Sequence, residues 1–167
     1  MIELDLSAER CWPDGTDWQL LCEKAVAAGI AVAPYARLNE TAATLSVSVR
    51  LAQNEEVHAL NRNYRQKDKP TNILSFPMLD AVLLGSLANT DDGEVLLGDM
   101  ILAYEICADE AAEKDISLSQ HISHLIVHGT LHLLGFDHME EHEAETMEAM
   151  EIKALASLGL PNPYIDI

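Results

Sequence analysis

Three histidines lie close together in the segment HGTLHLLGFDH, which runs from His128 to His138. On a helix, His128 and His132 would differ by about 40° in direction and about 6 Å in height, so both imidazoles would project from one side. Gly135 can adopt a positive φ and reverse the chain, which would bring His138 toward the same point. Three neutral imidazoles leave a fourth position open on a tetrahedral zinc ion. The spacing therefore predicts one divalent metal per chain, in a site of the catalytic kind.

The remaining histidines are expected to play other roles. His124 precedes His128 by about one turn on nearly the same helical face, so we predict that it supports the site without binding the ion. Core or surface roles are expected for His58, His121 and His142. Zinc is the expected ion, and nickel and cobalt also accept imidazole ligands.

The histidine spacing matches that of metzincin peptidases, HExxHxxGxxH, with one difference. Gly129 stands where those enzymes have the glutamate that acts as general base in peptide hydrolysis. Bound zinc lowers the pKa of water to about 7, and phosphodiester cleavage needs such a nucleophile together with positive charge near the phosphate. The sequence therefore favours a phosphodiesterase over a peptidase.

Positive charge is concentrated in one short segment of an acidic chain. The formal net charge is −18, which on average argues against a polyanionic partner. Four of the ten basic residues nevertheless fall within RNYRQKDK, namely Arg62, Arg65, Lys67 and Lys69. We expect this segment to bind the substrate phosphates, and a solvated loop is the alternative.

Strand and helix patterns alternate along the chain. Strands are expected at IELDL, TLSVSVR, NILSFP and EVLLGDMILA, the last of them central and with Gly98 at a bulge or close approach. Helices are expected from Thr16 or Asp17 to a stop at Gly29, from Asn54 to about Asn63, over AYEICADEAAEKD, from a cap at Ser117 or Ser119 to Gly135, and from about Glu140 to Leu158. An irregular segment is expected from Asp80 to Gly93. The pattern predicts a single α+β domain over residues 1–167, in which a small mixed β-sheet packs with about five helices and the metal-binding helix ends in a glycine turn.

Composition also bears on the location of the protein. The sequence has neither a basic start followed by an apolar stretch nor eighteen consecutive apolar residues, so a cytoplasmic protein without membrane contact is expected. Its three cysteines, Cys11, Cys22 and Cys107, are scattered without a CxxC spacing, and we expect reduced thiols.

Three motifs together resemble one known family. They are HLIVHGTLHLLGFDH, NRNYRQKDKPTNILSFP and LGDMIL, and they span most of the chain from Asn61 to His138. In this combination they closely resemble the YbeY family of bacterial proteins. The resemblance implies a zinc-dependent endoribonuclease, specific for single-stranded RNA, that acts in maturation of the small-subunit ribosomal RNA at its 3′ end and in ribosome quality control.

The resemblance also implies partners and site residues. The partners would be ribosomal RNA and the ribosome or small-subunit assembly factors. The metal ligands would be His128, His132 and His138, and the family's functionally important arginine would be Arg65. Two positions depart from the common family pattern: Asn72 replaces an aspartate, which puts a carboxylate role there in doubt, and Phe136 replaces a tyrosine.

Two alternatives to a ribonuclease stay open on the residues alone. One is a zinc hydrolase of another substrate, such as a peptide. The other is a non-catalytic ribosome-associated protein whose structural zinc has a fourth ligand, for which Asp137 and Cys107 are the candidates.

Acidic residues crowd the beginning of the last predicted helix, where the helix dipole favours negative charge. They are Glu140, Glu141, Glu143, Glu145, Glu148 and Glu151. We expect a solvated surface without a catalytic role, and a docking face for a basic ribosomal protein is the alternative.

Overall fold

A computed structural model describes residues 2–34, 44–78, 94–137 and 141–164. The strands in this part of the chain are β1 (Ile2–Ala8), β2 (Thr44–Ala52), β3 (Ile73–Pro77) and β4 (Glu94–Ala103). The helices are α1 (Trp18–Val32), α2 (Asn54–Arg65), α3 (Tyr104–Glu113), α4 (Leu118–Leu133) and α5 (Glu141–Ser157). The predicted α+β class, with a small mixed sheet and five helices, is confirmed. The segment expected to be irregular, from Asp80 to Gly93, lies outside the described residues.

The four strands form one sheet in the order β1-β2-β4-β3. β1 pairs with β2 and β2 with β4 in parallel, whereas β3 pairs antiparallel to β4. β4 is therefore an interior strand, as its nearly continuous apolar sequence predicts. The register of β2 and β4 shifts between Ser46 and Val47, where Val47 pairs with Gly98. Gly98 has a φ of 147°, and a Cβ there would collide with the carbonyl oxygen of Phe76 in β3. The prediction for Gly98 is confirmed.

The two faces of the sheet are covered by different helices. The larger core joins one face to α1, α4 and α5, and its fully buried strand residues include Leu45, Leu97 and Leu102. A smaller cluster on the opposite face joins Leu74 and Ile101 to α2. Because strand side chains alternate between faces, the sheet lies between α2 and α4. None of the described helices combines the length and apolar character needed to cross a membrane.

Local capping signals place the helix starts correctly, but one predicted helix end is wrong. The Asp17 carboxylate accepts a hydrogen bond from the Leu20 N–H at 3.1 Å, and Ser117 caps α4 in the same way. Gly29 does not end α1, which continues to Val32. A Cβ at position 29 would lie 3.0 Å from Thr130 Cγ2 of α4. Glycine at this position therefore permits a close approach of the two helices.

Candidate metal centre and basic surface

Helix α4 brings two of the predicted metal ligands together. His128 and His132 are one turn apart, and their Nε2 atoms lie 3.0 Å from each other. The ring planes are nearly perpendicular, with centroids 4.6 Å apart. Both side chains are only partly buried, at the margin of a helix that is otherwise enclosed by the core. The chelating arrangement expected from the i, i+4 spacing is therefore present in the structure.

The Nδ1 atoms of this pair indicate which nitrogen carries the proton. His132 Nδ1 lies 2.9 Å from the carbonyl oxygen of Phe136, and His128 Nδ1 lies 3.3 Å from Glu151 Oε1. A carbonyl and an ionised carboxylate can only accept, so rings that donate through Nδ1 at both positions would direct their Nε2 lone pairs toward each other. Two facing lone pairs repel unless a cation lies between them. Histidines that bind a metal typically donate their other N–H to such oxygens, so this pair fits a divalent ion.

A glycine turn follows the two ligands directly. Gly135 has a φ of 97°, its N–H donates to the His132 carbonyl at 3.0 Å, and the Phe136 N–H donates to the Leu131 carbonyl at 3.0 Å. These are the two hydrogen bonds of a Schellman motif, and they confirm the predicted glycine turn. The same turn places the Phe136 carbonyl against His132 Nδ1. The chain reversal therefore also orients one of the predicted ligands.

The third predicted ligand, His138, lies outside the described residues. Within residues 2–34, 44–78, 94–137 and 141–164, no group of three or more histidine, cysteine or acidic side chains is arranged to hold a metal. The described part of the chain therefore provides two of the three predicted ligands, and the assignment of His138 stays a prediction.

One of the residues placed on the acidic surface is buried instead. Four of them, Glu141, Glu143, Glu145 and Glu148, are exposed as expected, and Glu140 is not among the described residues. Glu151 is only 1% exposed, so its assignment to the solvated surface is wrong. It is spaced four residues from both Met147 and Leu155, which are buried on the same face of α5. That spacing is the sequence signal that could have identified it.

The Glu151 carboxylate contacts three side chains, one of which belongs to the histidine pair. Its Oε1 lies 2.6 Å from His124 Nε2 and 3.3 Å from His128 Nδ1, and it accepts a hydrogen bond from the Tyr164 hydroxyl at 2.8 Å. Burial alone would raise the pKa of Glu151, but hydrogen bonds with His124 and His128 and the electrostatic attraction of these two rings outweigh it and lower the pKa to about 2. His124 thus contacts the carboxylate that contacts His128. His124 could therefore support the site, as predicted, through its contact with Glu151.

The two candidates for a fourth ligand of a structural zinc lie in different surroundings. Cys107 is fully buried, and its thiol donates to the Asn72 carbonyl oxygen at 3.5 Å. Burial raises the pKa of Cys107 to about 12, which disfavours the thiolate that zinc requires. Asp137 is exposed at the end of the glycine turn.

The Asn72 amide, at a position where the family commonly has aspartate, donates a hydrogen bond to Glu110 at 3.1 Å. An ionised aspartate could not make this contact.

Three further histidines have partners or surroundings that suit the roles expected for them. The buried His121 lies 2.9 Å from a Glu110 carboxylate oxygen, and His58 lies 2.7 Å from Asp68 on the surface. His142 is exposed in the first turn of α5.

The position of Gly129 explains why a metzincin-type base has no place here. A Cβ at residue 129 would lie 2.5 Å from Met100 Sδ and 2.9 Å from Ile73 Cδ1. Helix α4 therefore rests on β3 and β4 at this residue. A glutamate side chain would be directed into the sheet, away from the facing imidazoles, so the peptidase alternative gains no support.

The basic segment lies at the end of α2, on the other face of the sheet. α2 is two residues longer than predicted, and its last turn contains Arg62 and Arg65, where the helix dipole favours positive charge. Gln66 ends the helix with a φ of 57°, and Lys67 and Lys69 follow. All four basic side chains are exposed, which agrees both with a phosphate-binding segment and with the alternative of a solvated loop.

The end of β3 separates the basic segment from the histidine pair. Beside Arg65, the Tyr64 ring lies 6.0 Å from the ring of Phe76, near the end of β3 on the α2 side. On the α4 side, Leu133 follows His132 and packs against Gly98, whose partner in β3 is Pro77. Arg65 and His132 therefore lie near the same end of the sheet, on opposite faces.

A cleft of about 550 Å³ opens on the α2 side of the sheet. Its lining includes Tyr64, Phe76 and Met78 together with polar strand residues such as Ser48 and Asp99. Tyr64 is 70% exposed although it is a large aromatic residue. Tyr64 is not among the site residues expected from the sequence, although its position between Arg62 and Arg65 is a sequence signal for it.

Known proteins similar to this chain identify its family. The model of a family described as Endoribonuclease YbeY matches residues 19–159. The chain belongs to the YbeY family. Proteins named Endoribonuclease YbeY include one from Sphingopyxis alaskensis, 55% identical over 99% of both chains, and one from Rhizorhabdus wittichii, 57% identical over 98% of this chain and 97% of its own. The family expected from the three motifs is thus confirmed.

A solved structure shares the fold of this chain. The solution structure of TM1509 from Thermotoga maritima is 20% identical and gives a TM-score of 0.54, with 95% of this chain and 92% of that chain covered. At this identity the likeness concerns the fold alone.

Proposed function

We propose that this chain is a metal-dependent endoribonuclease of single-stranded RNA, acting in maturation of the small-subunit ribosomal RNA at its 3′ end and in ribosome quality control. The YbeY relatives that are more than half identical over nearly its whole length are named endoribonucleases. The observation that carries the metal dependence is the approach of His128 Nε2 and His132 Nε2 to 3.0 Å. Residues 1–167 form one such domain in this proposal, located in the cytoplasm, with ribosomal RNA and the ribosome or its small-subunit assembly factors as partners.

The proposed ligands of the ion are His128, His132 and His138. Zinc is the expected ion, with nickel and cobalt as alternatives that imidazole also accepts. When bound, the ion supplies an activated water and positive charge at the scissile phosphate. The Phe136 carbonyl oxygen at 2.9 Å from His132 Nδ1 and Glu151 Oε1 at 3.3 Å from His128 Nδ1 would orient the two imidazoles toward the ion.

Arg65 is proposed to bind the phosphate at the scissile bond. Its guanidinium can engage two phosphate oxygens at once and stays charged at any working pH. An RNA strand that passes around the end of β3 would have Arg65 on one side and the histidine pair on the other. The exposed Arg62, Lys67 and Lys69 would hold neighbouring phosphates.

The cleft lined by Tyr64 supports the proposed preference for single strands. The exposed ring of Tyr64 offers a surface on which an unpaired base can stack, as aromatic residues do in other proteins that bind single strands. Bases inside a duplex are already stacked on their neighbours and do not present a face to such a ring.

The proposal is tested by single-turnover cleavage of an unstructured RNA with metal-loaded protein. Arg65→Ala should retain its metal and its fold but cleave about 100-fold more slowly or worse, because one preorganised charge near the phosphate is lost. Arg65→Lys should recover only part of the rate, since an ammonium cannot reproduce the fork. Arg10→Ala is the matched control, because Arg10 is also exposed but lies outside the basic segment. An Arg65→Ala rate within about threefold of the unmodified protein would show that the assigned role is wrong.

The metal assignment is tested separately by elemental analysis. His128→Ala and His132→Ala should each lose the bound metal, since each removes one of the proposed ligands. Unchanged stoichiometry in both variants would contradict the site. Absence of RNA cleavage by the metal-loaded unmodified protein would contradict the proposed function as a whole.

A further inference from the structure

Glu151 is a charged residue in an apolar contact between α4 and α5. Its neighbours on the same face of α5 include Met147, Ala154 and Leu155, all of them buried. Transferring a carboxylate from water to such a site costs several kcal/mol unless hydrogen bonds and opposite charge compensate. A Leu or Met at position 151 would avoid this cost, so burial of a carboxylate here indicates that it has specific partners.

The contacts of Glu151 point toward the histidine pair. One oxygen, Oε1, receives His124 Nε2 at 2.6 Å and the Tyr164 hydroxyl at 2.8 Å. The same oxygen lies 3.3 Å from Nδ1 of His128, on the side of the ring that faces away from His132. The carboxylate thus lies beside the ring nitrogen of His128 that is opposite the one facing His132.

We infer that Glu151 is a positioning residue for the metal centre, which holds His128 as the Nδ1–H tautomer with Nε2 directed toward His132. This inference rests on the proposed metal site. The Phe136 carbonyl does the same for His132 at 2.9 Å. One ligand is therefore oriented by the turn after α4, and the other by a separate helix. A carboxylate partner also makes the imidazole a stronger metal ligand.

A purely structural role for Glu151 would give different results. The contacts with His124 and Tyr164 alone would connect α4, α5 and the segment after α5. In that case substitutions at position 151 would change the stability of the protein and leave its intrinsic affinity for a metal unchanged.

The experiment measures zinc affinity of the metal-free protein by competition with a chromophoric chelator. In Glu151→Gln the side chain keeps its shape, but its amide can turn an N–H toward His128 and favour the other tautomer. We expect zinc binding to weaken about 10- to 100-fold, the usual effect of losing such a partner. Tyr164→Phe is the matched control, because it removes a hydrogen bond to the same Oε1 but makes no change at His128. Its affinity should stay within about threefold of the unmodified protein.

A second measurement needs no variant. Nitrogen-15 NMR of the metal-free, unmodified protein should show His128 protonated at Nδ1. An Nε2–H tautomer would overturn the inference even if Glu151→Gln did not fold. An affinity of folded Glu151→Gln within about threefold of the unmodified protein would overturn it as well and leave the proposed metal site standing. Failure of the unmodified protein to bind zinc, nickel or cobalt would instead contradict the proposed metal dependence.

Discussion

Replacement of Gly98 by alanine should destabilise the junction between the sheet and α4. Gly98 has a φ of 147°, a region that side-chain-bearing residues enter at a cost of about 1–3 kcal/mol. Its added Cβ would also collide with the Phe76 carbonyl oxygen and lie 2.7 Å from Leu133 Cδ2. The Phe76 atom is backbone in a paired strand, so it cannot move aside as a side chain does, and overpacking of this kind costs about 1–3 kcal/mol. The two effects together should lower the free energy of unfolding by roughly 2–6 kcal/mol.

Urea denaturation at constant protein concentration measures this loss. Gly15→Ala is the matched control, because a Cβ there would meet nothing within 4 Å. Its free energy of unfolding should change by less than about 0.5 kcal/mol. A loss below about 1 kcal/mol in Gly98→Ala, with the same dependence on urea as the unmodified protein, would refute the argument from close approach.

The remaining predictions concern RNA binding, pH and surface charge. Tyr64→Ala should weaken binding of an unstructured RNA about 5- to 100-fold in fluorescence anisotropy, since one stacked base loses its platform, and unchanged binding would argue against stacking. Burial lowers the pKa of His121, so below about pH 6.5 protons favour the unfolded chain. As the pH is lowered below this value, the free energy of unfolding should fall by up to about 1.4 kcal/mol per pH unit. His121→Gln should reduce this pH dependence, and an equal pH dependence in the variant and the unmodified protein would contradict the assignment. The exposed Glu145 and Glu148 can be replaced together by lysine, and cleavage of a short RNA should persist, whereas a large loss would reveal a function for this surface.

Features that depend on local signals could be predicted from the sequence. Asp17 and Ser117 are helix caps because their own side chains accept from N–H groups three residues later. The turn at Gly135 that follows α4 is predictable because it is formed by hydrogen bonds between backbone groups only a few residues apart. The interior position of β4 follows from its own apolar run. Each of these features is encoded within a few residues of where it occurs.

Features that depend on tertiary contacts were harder to predict. Gly29 costs a helix about 1 kcal/mol relative to alanine, yet α1 continues through it because Thr130 of α4 packs against the space it leaves. Glu151 is indistinguishable in type from the glutamates before it, and only its burial against α4 distinguishes it. The placement of Tyr64 against Phe76 and of Leu133 against Gly98 depends on how α2 and α4 pack on the sheet, which no local pattern contains.

The dependence of His128 on α5 has a consequence for the order in which the protein is made. Synthesis proceeds from the N-terminus, so His128 and His132 are joined to the chain before Glu151 and Tyr164 are added. The sheet beneath them also forms from distant partners, since β1 pairs Ile2 with Leu45, and such non-local pairing is slow. A chain interrupted before residue 151 therefore carries both histidines without the carboxylate that orients one of them. If Glu151 positions His128 as we infer, an incomplete product of translation would bind its metal more weakly than the finished protein until α5 has folded against α4.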